Sequence, residues 1–318
     1  MTETAADVTH AQASGAATVR APRVAAALVV GALAVSSSGV LIRVADAPSL
    51  SIAFWRCFGG AVALAPFALR ARHRLGRLDR RQRWQLVGAG LCLALHFALF
   101  ISSLSFTTVA SAVLFATMSP LFVGLGAAVF LGEPPLRRTW VGIGVTMLGA
   151  VAVGLADLGD VDLGSRAVLG DAMALASAIA VTGYLLLGRV VRQTLPNSVY
   201  AASVYGVAAA TLLIASIATG ASLTGYDAPT WGAIIALIVG PQLLGHTVFN
   251  WVLSSVTPTV VAVTVLSEPV GAGVLAWLVL SEVPSTWFWF GAPLILAGVY
   301  LAATARRPLD PEELSPAG

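Results

Sequence analysis

Glu268 is an acid inside an apolar run that extends over residues 259–280, directly before Pro269. An ionised carboxylate at the centre of a bilayer costs roughly 2.5–3.5 kcal/mol or more to insert. Such a group is either held neutral by desolvation or paired with a cation. Either state makes Glu268 a candidate for proton coupling and for substrate binding; the competing role is a hydrogen bond to backbone freed by Pro269. Gln242, His246 and Asn250 follow one another at i, i+4 and i+8, which places them on one helix face. Three polar groups in a stripe have no reason to face lipid, so they read as the lining of a cavity or as hydrogen-bonding glue between helices. His246 is the second candidate for proton coupling. His96 sits in an equivalent apolar setting and reads as a binding group or a packing histidine. Arg56 lies about six residues inside its apolar segment, where it meets an anionic substrate, pairs with a carboxylate or snorkels to the interface. Trp55 and Tyr184 are aromatics able to stack on a ligand, or to serve as packing or interfacial residues. Pro120 and Pro269 remove helix hydrogen bonds at depth and are candidate gating hinges.

The elements that must position these groups are membrane helices. The chain has 318 residues, of which 58% are hydrophobic and 10% charged, and its mean hydropathy is +0.87. Soluble domains carry about 25% charged residues, so an ordinary water-soluble enzyme and a disordered chain are both excluded. A spanning helix needs about 17–25 apolar residues. Ten such segments are legible, near 24–44, 50–70, 84–104, 108–130, 139–157, 169–191, 198–219, 230–253, 259–280 and 287–304. The first is too long for the apolar region of a signal peptide and reads as a retained helix. Cys57 and Cys92 lie in apolar runs and build no disulfide framework or zinc motif. No cofactor or metal is expected.

All 18 basic residues are arginines. Arg70, Arg72, Arg74, Arg77, Arg80, Arg81 and Arg83 crowd the loop between the second and third segments, which the excess of positive charge assigns to the cytoplasm. Alternate crossing then puts Arg20, Arg23, Arg137, Arg138, Arg189, Arg192, Arg306 and Arg307 on the same side, and only Arg43 and Arg166 on the other. Both termini are expected in the cytoplasm, with the protein in a plasma membrane. The use of arginine throughout points to a GC-rich bacterial genome and so to an inner membrane.

The chain repeats itself at an offset of about 149 residues. His96 matches His246, Pro120 matches Pro269, Glu133 matches Glu282, Trp140 matches Trp289 and Gly149 matches Gly298. Each copy belongs to a half of five segments. Five is odd, so the halves must enter the membrane in opposite directions, the arrangement of many secondary transporters. Glu133 and Glu282 close the fourth and ninth segments and read as structural caps of the next helix.

These residues resemble the drug/metabolite transporter superfamily, in particular its ten-helix EamA-type members. The likeness rests on Ser119-Pro120 followed by Gly132-Glu133, on Glu268-Pro269 followed by Ser281-Glu282, and on the stretch from Trp55 to Phe58. It covers about residues 24–305, and Ser281 departs from the glycine usual there. The resemblance implies an all-α membrane protein of two inverted EamA repeats, at 23–157 and 158–305, between a disordered N-terminal tail (1–22) and a C-terminal tail (306–318). It also implies transport of a small metabolite, an amino acid or related compound, with export more usual than import. No Walker A motif is present, so an ion gradient, most simply protons, or the substrate's own gradient supplies the energy. The alternatives are a facilitative uniporter or channel, an intramembrane enzyme, and a membrane receptor without flux. The expected partners are the substrate, protons and the lipid bilayer, with no nucleic acid; a homodimer stays open.

Overall fold

The computed structural model describes residues 22–107, 112, 115–154, 165–281 and 283–305. Among them there is helix and no strand. Backbone polar groups in hydrocarbon must be satisfied within the segment, and a helix does this for every residue but those at its ends. The helices are α1 (Pro22–Val44), α2 (Ser49–Arg70), α3 (Arg80–Ser103), α4 (Ser119–Leu131), α5 (Arg137–Gly154), α6 (Ser165–Val191), α7 (Asn197–Thr219), α8 (Ala228–Val252), α9 and α10 (Thr286–Ala303). The ninth is in two pieces, Pro258–Val265 and Glu268–Leu280. Eight helices among the described residues are long and apolar enough to cross a membrane. Of the ten expected crossings, α4 is shorter in its described part, and α5 spends its first turn on Arg137 and Arg138. Glu282, Asp157, Arg20, Arg306 and Arg307 fall outside the described residues.

Sequence chemistry accounts for the helix starts. Pro48 and Pro196 stand immediately before α2 and α7 and cannot themselves continue a helix backwards. Asp79 begins α3 with a reciprocal cap, its carboxylate accepting the Gln82 N–H at 2.7 Å while Gln82 Oε1 accepts the Asp79 N–H at 3.1 Å. Asp227 begins α8 by accepting the Thr230 N–H at 3.0 Å. The C-terminus of α4 turns on Gly132 at φ +65°, and the Glu133 N–H returns to the Ala127 carbonyl at 3.0 Å. The matching residue after α9, Ser281, takes the same left-handed conformation at φ 59°, the only non-glycine described with positive φ. That explains why glycine suits this position, and it marks Ser281 as strained.

The chain divides into two compact units that cut across the sequence repeat. One comprises Met1–Ala94 and Leu187–Val256, the other Leu95–Leu186 and Thr257–Gly318. Each unit is therefore built from helices of both halves. In the first, α2 packs along α7. Ser51 and Trp55, at the start of α2, donate to the carbonyls of Ser222 and Leu223, just beyond the end of α7, so the two helices run antiparallel. In the second, α5 packs along α10 through glycines. A Cβ at Gly142 would meet the Gly298 carbonyl at 2.6 Å, and one at Gly149 would meet the Gly291 carbonyl at 2.7 Å. Residue 142 faces 298 and 149 faces 291, which is again antiparallel. The paired helices are equivalents in the repeat, so their opposed directions are the inversion that five helices per half require.

Large side chains such as Phe130, Ile214 and Leu278 are exposed, as a bilayer rather than water demands of a helix apolar all round.

Candidate functional site

A polar network lies inside the first unit, on the facing sides of α2, α7 and α8. It begins with Arg56, which is 3% exposed and donates from Nε to Gln242 Oε1 at 3.1 Å. Snorkelling is therefore not its role here: the guanidinium turns inward. Guanidinium has only donors, so the amide oxygen of Gln242 must face it. The amide nitrogen then points away, and Gln242 Nε2 is buried without a hydrogen-bond partner among the described residues. Gly60 makes this contact fit, since a Cβ there would come within 2.9 Å of Gln242 Cγ.

Pro241 precedes Gln242 and supplies no N–H. Around it the backbone of α8 widens into a π-helical stretch, Ile238–His246. The Gln242 carbonyl accepts the Thr247 N–H, the Thr247 hydroxyl at 3.0 Å and the Tyr205 hydroxyl at 3.4 Å. The Tyr205 and Thr247 hydroxyls lie 3.0 Å apart, and Asn250 Nδ2 donates to Tyr205 at 3.4 Å. Arg192, from the end of α6, donates from Nε to the Asn250 carbonyl at 2.8 Å. Asn197 Nδ2 donates to the Thr247 carbonyl at 2.9 Å.

Gln242 and Asn250 thus share one buried network, as their spacing suggested. His246 between them is half-buried, at the end of the widened turn. Trp55 is half-buried and held by the Leu223 carbonyl at 2.8 Å within an aromatic group that includes Phe54, Phe58 and Trp231. Sequence reasoning missed Tyr205, Thr247, Asn197 and the inward use of Arg192. The available signal was Tyr205, inside the alanine-rich run of α7, where a buried hydroxyl needs a partner.

The second unit holds the remaining candidates. Glu268 is half-buried, near the middle of the span Pro258–Leu275, where it directly follows a short break and begins the piece Glu268–Leu280. The chain turns at Leu266 and Ser267, whose N–H groups close short i→i−3 bonds to Val263 and Thr264. Pro269 therefore follows a two-residue break inside the span Pro258–Leu275. Pro120 likewise comes second in α4, after a turn at Thr117 and Met118. A missing proline N–H costs nothing at a helix start, which is why the break falls just before each proline. The repeat places Ser119 where the second half has Glu268. His96 is half-buried, its Nδ1 2.8 Å from Ser177 Oγ and 3.2 Å from the Ser177 carbonyl, and it stacks on Phe100. That geometry serves the joint between α3 and α6. Tyr184 is buried at 1% exposure. Among the described residues no three His, Cys, Asp or Glu side chains gather as a metal-holding group.

Inverted helix pairs, helices broken at matching prolines and polar groups buried at depth define an integral membrane protein of the transporter kind. Residues 23–155 and again 168–304 match the EamA-like transporter family, and the chain belongs to that family. It is similar to an uncharacterized transporter of Archaeoglobus fulgidus, 26% identical over 87% of this chain and 95% of that one. It is also similar to the pseudopaline exporter CntI of Pseudomonas aeruginosa, 28% identical over 86% of this chain and 93% of that one. A solved crystal structure has the same fold, with a TM-score of 0.73 at 23% identity, covering 87% of this chain and 96% of that one.

Proposed function

We propose that the protein is a secondary active exporter of a small metabolite, an amino acid or related compound. It works by alternating access in the plasma membrane with both termini in the cytoplasm. Glu268 is its proton-coupling group and His246 the second. The observation that carries this reading is the position of Glu268 at the head of a half-helix. That end of a helix favours a negative charge, and half-burial opposes it. A proton taken or lost there alters the local charge at a break in the backbone. Transporters place their sites at such discontinuous helices. The family supports transport, and a relative named as an exporter of pseudopaline supports a small metabolite moving outward. Arg56, Gln242, Asn250, His246 and Trp55, all in the first unit, are the proposed substrate-facing set. Pro120 and Pro269 are its hinges. Within this set the orphaned donor of Gln242, beside Arg56, suits an acceptor on the substrate.

The test is flux in proteoliposomes with a panel of labelled amino acids and related metabolites under an imposed pH gradient. Wild-type protein should show saturable, gradient-driven flux that Glu268→Gln loses. Flux equal in the two proteins removes the role given to Glu268. Saturable flux indifferent to the gradient replaces coupling with facilitated diffusion.

A further inference from the structure

An apolar groove of about 570 Å³ runs along the α2/α7 pair. Phe58, Val62, Leu69, Ala202, Gly206 and Leu213 line it, and at one end the lining passes to Arg72. From Phe54 to Leu69 is about 22 Å of α2 at 1.5 Å per residue, so the groove is long enough for an extended acyl chain. Its floor is open at Gly206, where an added Cβ would meet nothing within 4 Å.

The Arg72 end carries positive charge from two sources. Arg72 is exposed and opens the short helix Arg72–Arg77, which adds Arg74 and Arg77 in its last turn. Val199, another lining residue, belongs to the first turn of α7. That 23-residue helix begins after Pro196 with no side-chain cap, so its first N–H groups carry the positive end of the helix dipole. Arginine and uncapped amides together fit a phosphate, and the apolar groove continuing from them fits a hydrocarbon chain. We propose that this groove binds an anionic phospholipid, its phosphate on Arg72 and the start of α7 and one acyl chain along the groove.

The experiment is native mass spectrometry of the full-length protein in neutral detergent, with phosphatidylglycerol or phosphatidylcholine added. Wild-type protein should retain one phosphatidylglycerol in preference to phosphatidylcholine. Gly206→Phe fills the groove from its open floor and should remove that adduct while far-UV circular dichroism stays unchanged. Arg72→Gln leaves the groove intact and should reduce phosphatidylglycerol retention about fivefold, the weight of one arginine at an anionic surface, without affecting phosphatidylcholine. Equal retention of the two lipids by wild-type protein overturns the proposal, as does an adduct that survives Gly206→Phe. A protein dimer that Gly206→Phe dissociates overturns it as well, by giving the groove to a second copy.

Discussion

Gly142 and Gly144 lie two residues apart on α5, and the same substitution at each should move stability in opposite directions. A Cβ at 142 would come 2.6 Å from the Gly298 carbonyl oxygen and 2.8 Å from the Ala302 nitrogen. Both are backbone atoms, so no rotamer relieves the clash; α5 and α10 must part by several tenths of an ångström to restore a contact near 3.5 Å. Overpacking of this kind costs about 1–3 kcal/mol. At 144 the added Cβ meets nothing within 4 Å, so Gly144→Ala keeps only the gain of about 0.5–1 kcal/mol from replacing glycine inside a helix. Gly142→Ala has the same gain and the clash, which leaves it destabilised by as much as about 2 kcal/mol. Titration of detergent-solubilised protein with SDS, followed by far-UV circular dichroism, reads the difference. Equal unfolding midpoints for the two variants would falsify the close antiparallel contact of α5 with α10.

Gln242→Leu takes the amide oxygen from the buried Arg56 guanidinium, and the same titration should show a loss of about 1.5–3 kcal/mol, the value of a hydrogen bond to a charged group. Ser281→Gly relieves the left-handed strain after α9 and should raise stability by about 1 kcal/mol, read as a higher unfolding midpoint. The Thr230 hydrogen bonds hold the Asp227 carboxyl below the usual carboxylate range. Its contribution is thus full above about pH 4 and fades as pH falls through the lowered folded value; Asp227→Ala should lower stability at neutral pH and flatten that acid limb, whereas Asp227→Asn should keep the cap and still flatten it. The double variant Ser119→Glu, Glu268→Ser moves the carboxylate to the matching half-helix; it should fold yet show no proton-driven flux in proteoliposomes, and coupled flux at the wild-type rate would refute the position assigned to Glu268.

Eight helices among the described residues were legible because each of those segments is long and apolar. The breaks inside them were not. A run such as 259–280 has no charged interruption beyond Glu268, and hydropathy alone cannot tell a continuous helix from one broken just before Glu268. Pro241 and the widened turn of α8 were hidden for the same reason. The stripe Gln242–His246–Asn250 was visible because it lies on one helix. Tyr205 and Arg192 were not, since their partners are 37 or more residues away, and spacing along one helix says nothing about the helix opposite. The repeat revealed the inversion but suggested two consecutive halves. Packing instead pairs α2 with its equivalent α7 and α5 with its equivalent α10, the latter pair meeting glycine to glycine.

The two halves share backbone devices more fully than side-chain chemistry. Turns precede Pro120 and Pro269, left-handed residues follow α4 and α9, and aspartates cap α3 and α8. The polar groups occur mostly once. Glu268 corresponds to Ser119, and the stripe Gln242–His246–Asn250 corresponds to Cys92, His96 and Phe100, of which only the histidine is kept. The alternating access proposed above would account for this division. Two conformations of similar energy require hinges that bend alike in both halves, so backbone features have to be duplicated. In that proposal a single substrate needs only one set of polar contacts, and a second carboxylate at depth would add an insertion cost of roughly 2.5–3.5 kcal/mol or more. His96 fits the same logic: with its stripe partners replaced by Cys92 and Phe100, its ring is taken up by Ser177 and aromatic stacking rather than by a polar network.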